Sequence, residues 1–216
     1  MIRHLMAPVV PRFAADLRVQ VTSADADGVA LTFDDGPHDE GTPAILSILS
    51  RANARATFFV IGEQVERRPQ LLERIVAEGH LVGLHGYRHR MQMRLTPGQV
   101  RADLERGAEA IARVTGELPR WHRPPYGVYS PAGLSAVRAA GMRPLLWSRW
   151  GKDWRKFTTP QRIARRVLGE LAPGDVILLH DADFYSARDS HRRTEAALQL
   201  IMNTLTERKV ATVLPV

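Results

Sequence analysis

Residues 28–62 read GVALTFDDGPHDEGTPAILSILSRANARATFFVIG. An apolar run, Gly28 to Phe33, ends at two carboxylates and a Gly-Pro turn. Thr42 to Ala52 then has helical spacing, and a second β-rich run, Ala56 to Gly62, follows it. Two strands that are apolar along their whole length, with a helix between them, form a parallel pair buried on both faces and joined by a crossover helix.

The same alternation continues to the C-terminus. Gln64 to Glu78 places Val65, Leu71, Leu72, Ile75 and Val76 at helical spacing, and Leu81 to Leu84 is a strand. Thr96-Pro97 opens a helix that runs to Thr115 and stops at Gly116. Arg120 to His122 reads as a short strand, Ser130 to Ala140 as a helix closed by Gly141, and Arg143 to Trp147 as a strand. Thr159-Pro160 repeats the cap, Val176 to His180 (VILLH) is a buried strand, Ser190 to Arg208 a helix, and Val210 to Leu214 a last short strand. The expected fold class is α/β, an irregular (β/α) barrel of about seven strand-helix units. Residues 28–216 form its domain and residues 1–27 a segment packing on it.

A chain of 216 residues suits one such domain, and 44% hydrophobic with 25% charged residues is a globular balance. Cysteine is absent, so a metal can be held only by His, Asp or Glu. The apolar run in Met1 to Leu17 is broken by Pro8 and Pro11, and no stretch reaches the roughly 18–20 apolar residues of a membrane span. No signal peptide is read. The expectation is a cytoplasmic protein, with peripheral membrane association left open. The net charge is +7, yet arginines are dispersed and Lys152, Lys156 and Lys209 are the only lysines. Without a like-charged block, nucleic acid is not an expected partner, and the basic balance points to a solvated surface or an anionic substrate.

Parallel α/β folds put their chemistry at the carboxyl ends of strands, and the polar clusters of this sequence fall there. Asp34 and Asp35 end the first strand before a turn enforced by Gly36 and Pro37. In HGYRH, His85 and His89 are four apart after the strand Leu81 to Leu84; on a helical turn both rings would face one way. With one carboxylate they make a two-His, one-Asp set that leaves room for water and substrate on a divalent metal. RPPYG, Arg123 to Gly127, is a stiff loop that holds a cation near the barrel mouth and presents the Tyr126 N–H as an oxyanion donor. His180 ends the most hydrophobic strand, and with an acid such as Asp153 beside it fits a general acid. Leu178, on the same strand face, can floor a small apolar pocket.

With those motifs in hand, the chain resembles the polysaccharide deacetylases, carbohydrate esterase family 4 with its NodB homology domain, from about Gly28 onward. Five blocks match in order: TFDDGP (Thr32 to Pro37), HGYRH (His85 to His89), RPPYG (Arg123 to Gly127), KDW (Lys152 to Trp154) and LLH (Leu178 to His180). The resemblance implies Asp34 as general base, Asp35, His85 and His89 as ligands of a divalent metal, usually zinc, and Arg123 as the partner orienting Asp34. It also implies an oxyanion N–H at Tyr126, a His180 acid tuned by Asp153, and an acyl pocket walled by Trp154 and Leu178.

Two positions depart from the family pattern. Gly86 stands where Ser or Thr is usual and removes a hydroxyl that would brace the metal loop. Trp150 stands where an acid is common, either narrowing the groove as part of the substrate pocket or packing in the core. The activity implied is metal-dependent removal of an N-acetyl group from an amino sugar in an oligosaccharide, glycolipid or metabolite. Removal of formyl or another acyl group by the same mechanism, and a non-catalytic carbohydrate-binding relative, are the alternatives.

Overall fold

The computed structural model describes residues 1–8, 10–23 and 27–216. In chain order the elements are α1 (Ile2–Met6), α2 (Pro11–Asp16), β1 (Gly28–Asp34), α3 (Gly41–Arg51), β2 (Ala56–Val60), α4 (Gly62–Arg67), α5 (Pro69–Ala77) and β3 (Leu81–Leu84). Then come α6 (Pro97–Thr115), β4 (Trp121–His122), α7 (Pro131–Ala139), β5 (Arg143–Pro144), β6 (Arg149–Trp150), α8 (Pro160–Leu168), β7 (Val176–His180), α9 (Ser190–Glu207) and β8 (Ala211–Thr212). The strands run in the order β5-β4-β3-β2-β1-β7-β6, every pair parallel, and β8 adds to the start of β1.

The sheet is curled because its two edges are close in sequence. Pro144 ends one edge strand and Arg149 begins the other. That link lets their Cα atoms separate by at most about 18 Å, whereas seven flat strands would hold the edges about 29 Å apart. The α/β barrel expected from the sequence is therefore present as a curled half-barrel. All seven residues of β1 and all five of β2 are buried, and Phe33 stacks on Phe58 at 5.2 Å. Burying each such side chain contributes about 1.5–3 kcal/mol.

Helix boundaries follow local chemistry. The Thr96 hydroxyl accepts from Gln99 N while the Gln99 side chain accepts from Thr96 N, a reciprocal cap, and Gly116 ends α6 in the left-handed region. The single helix expected over Gln64 to Glu78 is instead two. Pro69 cannot donate a backbone hydrogen bond and pushes Arg68 out of the helical region, to φ −139°, so α4 stops and α5 restarts. The strand expected over Arg143 to Trp147 pairs with β4 only as far as Pro144, and Leu145 bridges to Gln20. Beyond it the chain crosses the barrel opening and re-enters as β6, where Ser148 N donates to Val176 O. The last strand is likewise shorter than expected, Ala211–Thr212.

Candidate active site

Strand order brings the sequence motifs together. β7 lies beside β1 with Asp34 opposite His180, and β4 lies beside β3 with His122 opposite Leu84, so Arg123 follows level with His85. Four motifs distant in sequence thus share one end of the sheet.

Arg123 is fully buried beneath that end rather than at an open mouth. Its Nη1 donates to Asp34 Oδ1 (2.7 Å) and Thr32 Oγ1 (2.8 Å), Nε to Leu145 O (3.1 Å), and Nη2 to Leu146 O (2.7 Å). Its guanidinium also lies 4.1 Å from the Phe59 ring centroid. Asp34 is thereby fixed by one oxygen, and Oδ2 faces His85 Nε2 at 3.8 Å. Burial raises the Asp34 pKa, against the opposing charge of Arg123.

Asp35 takes a different direction because its backbone has φ 85°. Its Oδ1 is 3.5 Å from His85 Nε2 and 3.4 Å from His89 Nε2, and it is buried with no hydrogen-bond donor. The HGYRH segment is not a helical turn as the four-residue spacing suggested. It is an irregular bend in which Gly86 has φ 90°, and the two rings nevertheless lie 5.5 Å apart. His85 Nδ1 donates to Arg123 O at 2.8 Å, which leaves the lone pair on Nε2. Burial pushes both histidines down to about 3, so they are neutral. Burial also pushes Asp35 up to about 7, with Asp34, Asp181 and Asp153 adding to the rise. A neutral nitrogen lone pair aimed at an orphaned carboxylate oxygen is repulsive until a cation sits between them. The ligand atoms of Asp35, His85 and His89 all lie within 4.8 Å of one another, so this trio can hold a divalent ion.

His38, Asp183 and His191 also lie within that distance. There, His38 Nδ1 accepts from Glu40 N (3.2 Å) and Gly41 N (3.0 Å), so the proton of the neutral ring is on Nε2, facing Asp183 Oδ1 at 3.4 Å. A protonated nitrogen offers no lone pair, and we read this trio as bracing between the start of α3 and the loop before α9.

Across the site, His180 Nδ1 meets Asp153 Oδ1 at 2.9 Å, and Asp153 Oδ2 accepts from His180 N (2.7 Å) and Thr194 Oγ1 (2.8 Å). Burial alone would lower His180, but Asp153, with Asp35 and Asp34, outweighs it and pushes His180 up to about 10. The RPPYG turn is closed by Gly127 N to Pro124 O (2.9 Å) and Val128 N to Pro125 O (3.4 Å). The Tyr126 N–H takes part in neither bond. Its residue sits at φ 61°, and its ring packs edge-on to His89 at 4.6 Å. Leu178 is buried and pairs with Thr32 and Trp150, while Trp150 lies between Trp147 (5.4 Å) and Trp154 (6.2 Å) in an aromatic row.

Several contributors were not read from the sequence. Asp181 accepts from Gly36 N (3.1 Å) and from the Thr42 hydroxyl, holding the turn after Asp35, and its position directly after His180 was the available signal. Burial pushes Asp181 up to about 6. Tyr185 stacks on His89 at 4.3 Å and 9°, and its hydroxyl bonds to Gln64 and Glu63, 3.2 Å each. Asp103 of α6 accepts from Tyr87 N (2.8 Å) and Arg90 (2.8 Å), bracing the histidine loop. A cavity of about 600 Å³ lies away from all of this between α6 and α7.

Comparisons with known proteins find relatives along most of the chain. The polysaccharide deacetylase family profile matches residues 22–145. A chitooligosaccharide deacetylase of Bradyrhizobium sp. is 37% identical over 82% of this chain and 80% of its own length. A peptidoglycan-N-acetylglucosamine deacetylase of Bacillus cereus is 39% identical over 70% of this chain, which spans only 55% of that relative. A crystal structure of the Bc1960 peptidoglycan N-acetylglucosamine deacetylase superposes with a TM-score of 0.85 at 31% identity, covering 94% of this chain and 92% of that one.

Proposed function

We propose, from the premise that the chain belongs to the polysaccharide deacetylase family, that it is a metal-dependent hydrolase removing the N-acetyl group of an amino sugar. The observation that carries this reading is the pairing of an Arg123-bound carboxylate with an Asp153-bound imidazole around one cation-ready trio. Asp34 is a buried carboxylate with one oxygen free, and His180 is an imidazole held protonated by Asp153.

An amide is a poor electrophile with a poor leaving group, so both ends need help. Asp35, His85 and His89 would hold a divalent ion, zinc by their two imidazole nitrogens and one carboxylate, and that ion would supply Lewis acidity for the carbonyl and the attacking water. Asp34 Oδ2 takes the water's proton, and Arg123 keeps Oδ1 from turning away. In this reading the Tyr126 N–H, which takes no part in the turn's own hydrogen bonds, donates to the developing oxyanion. His180 gives its proton to the departing amine, and the Asp153 pair keeps that proton available at neutral pH. Trp154 and Leu178 wall the acyl group, with Trp150 behind them. Residues 28–216 form the catalytic unit in this reading, and residues 1–27 support it.

The decisive test assays acetate release from N-acetylated oligosaccharides by zinc-loaded protein, with formate release from N-formyl analogues in parallel. Asp34→Asn is expected to abolish turnover while retaining bound metal, and His85→Ala to lose the metal. Wild-type turnover in Asp34→Asn, or stoichiometric zinc in His85→Ala, would contradict these roles.

A further inference from the structure

Beside the reaction centre, the turn after Asp153 and the loop after Asp183 border an open surface cavity of about 530 Å³. Trp154, Arg155, Lys156 and Phe157 line one wall, and Tyr185, Ser186 and Ala187 the other. The walls are tied together by Ala187 N donating to Trp154 O at 3.1 Å. Each wall also carries a piece of the site. Asp153, which precedes Trp154, holds His180, and Tyr185 covers His89. A ligand in this cavity therefore lies next to the sugar being deacylated.

Its chemistry is distinctive. Trp154, Phe157 and Tyr185 are exposed by 36%, 86% and 37%, large apolar faces that a pyranose ring covers well. Arg155 lies 5.3 Å from the Trp154 ring centroid, and Lys156 Nζ 5.5 Å from that of Phe157. Neither cation has a carboxylate partner among the described residues, and no acidic residue lines the cavity. Two of the chain's three lysines, Lys152 and Lys156, flank this turn in a protein otherwise supplied with arginine. Unneutralised cations beside ring faces recognise an anion carried on a sugar.

We propose that this cavity is a subsite for the unit adjoining the acylamino sugar, and that this unit carries a negative charge, phosphate or carboxylate. The proposal rests on the deacetylase reading but is tested apart from it. Equilibrium binding of a glucose 6-phosphate–N-acetylglucosamine disaccharide, and of a glucuronic acid–N-acetylglucosamine disaccharide, is compared with that of the neutral glucose–N-acetylglucosamine disaccharide by calorimetry on the zinc-loaded chain. The anionic ligands are expected to bind about tenfold more tightly at low salt, the scale of one charge-assisted contact. That ratio should collapse in Arg155→Ala/Lys156→Ala, reverse in Lys156→Glu, and persist in Arg165→Ala, an exposed cation of α8. Whichever of the two ligands shows the ratio identifies phosphate or carboxylate as the group. Equal binding of neutral and anionic ligands, or an equal loss in Arg165→Ala, overturns the subsite. A preserved binding ratio without turnover instead rejects the deacetylase reading and leaves the subsite standing.

Discussion

Arg123 has no solvent contact and spends all of its bonds on four oxygens, one of which belongs to Asp34. Removing the cation leaves a buried carboxylate unpaired, so Arg123→Met is expected to lose about 3–5 kcal/mol of stability in urea unfolding. Loss below 1 kcal/mol would mean that Asp34 protonates at little cost. The His180–Asp153 pair gives a pH prediction. A histidine pushed from 6.5 up to about 10 in the folded state contributes stability that is complete below pH 6.5 and is lost as pH rises toward 10. Asp153→Asn removes the largest force raising that value. The fall in metal-free thermal stability over this window should therefore flatten, and the alkaline limb of kcat/KM should move toward neutral pH. An unmoved alkaline limb would assign it to another group. The residues involved were legible in sequence because Asp34 and His180 end strands and Arg123 and Asp153 follow strands closely. Thr194 was not, since nothing in α9 announces that one hydroxyl will meet a carboxylate 41 positions away.

The histidine loop is an element whose spacing misled. Two imidazoles four apart read as one helical face, but a strand that ends at Leu84 and turns through Gly86 at φ 90° brings the rings together without a helix. The turn also alters the meaning of Gly86 as a departure. A Cβ there would lie 3.0 Å from Asp103 Oδ2, and Asp103 already braces Tyr87 N. Restoring a hydroxyl with Gly86→Ser should therefore cost about 1–3 kcal/mol through the left-handed backbone, and should weaken zinc binding in competition with a chelator. An unchanged or tighter zinc affinity would show that the loop relaxes freely. Elsewhere elements were readable where capping was local, as at Thr96 and Ser130. They were unreadable where pairing was not. No short-range signal in PLLWSRW, Pro144 to Trp150, says that the chain leaves one sheet edge and rejoins the other.

At the scale of the whole molecule, that crossing connects the described N-terminal residues to the site. Gln20 N donates to Pro144 O (3.2 Å) and Gln20 O accepts from Leu146 N (2.7 Å), so the segment before β1 acts as an extra strand against the crossing. The carbonyls of Leu145 and Leu146 in turn hold Arg123, and Arg123 holds Asp34. Ala14 and Val19 are buried in the core, and Pro8 lies against Gly127 in the turn that presents the Tyr126 N–H. The proposed metal-ligand trio touches this path only through the Arg123 carbonyl, which accepts from His85, and the packing of His89 on Tyr126; its loops are held by Asp103, Asp181 and the sheet. Deleting residues 1–22 is thus expected to lower the thermal midpoint and to reduce kcat more than zinc affinity, since it loosens the proposed base and oxyanion donor more than the proposed ligands. Turnover and zinc titration on the same truncated sample decide the matter. A parallel loss of both would mean that the segment supports the fold generally, and unchanged kcat would break the chain of contacts from Gln20 to Asp34.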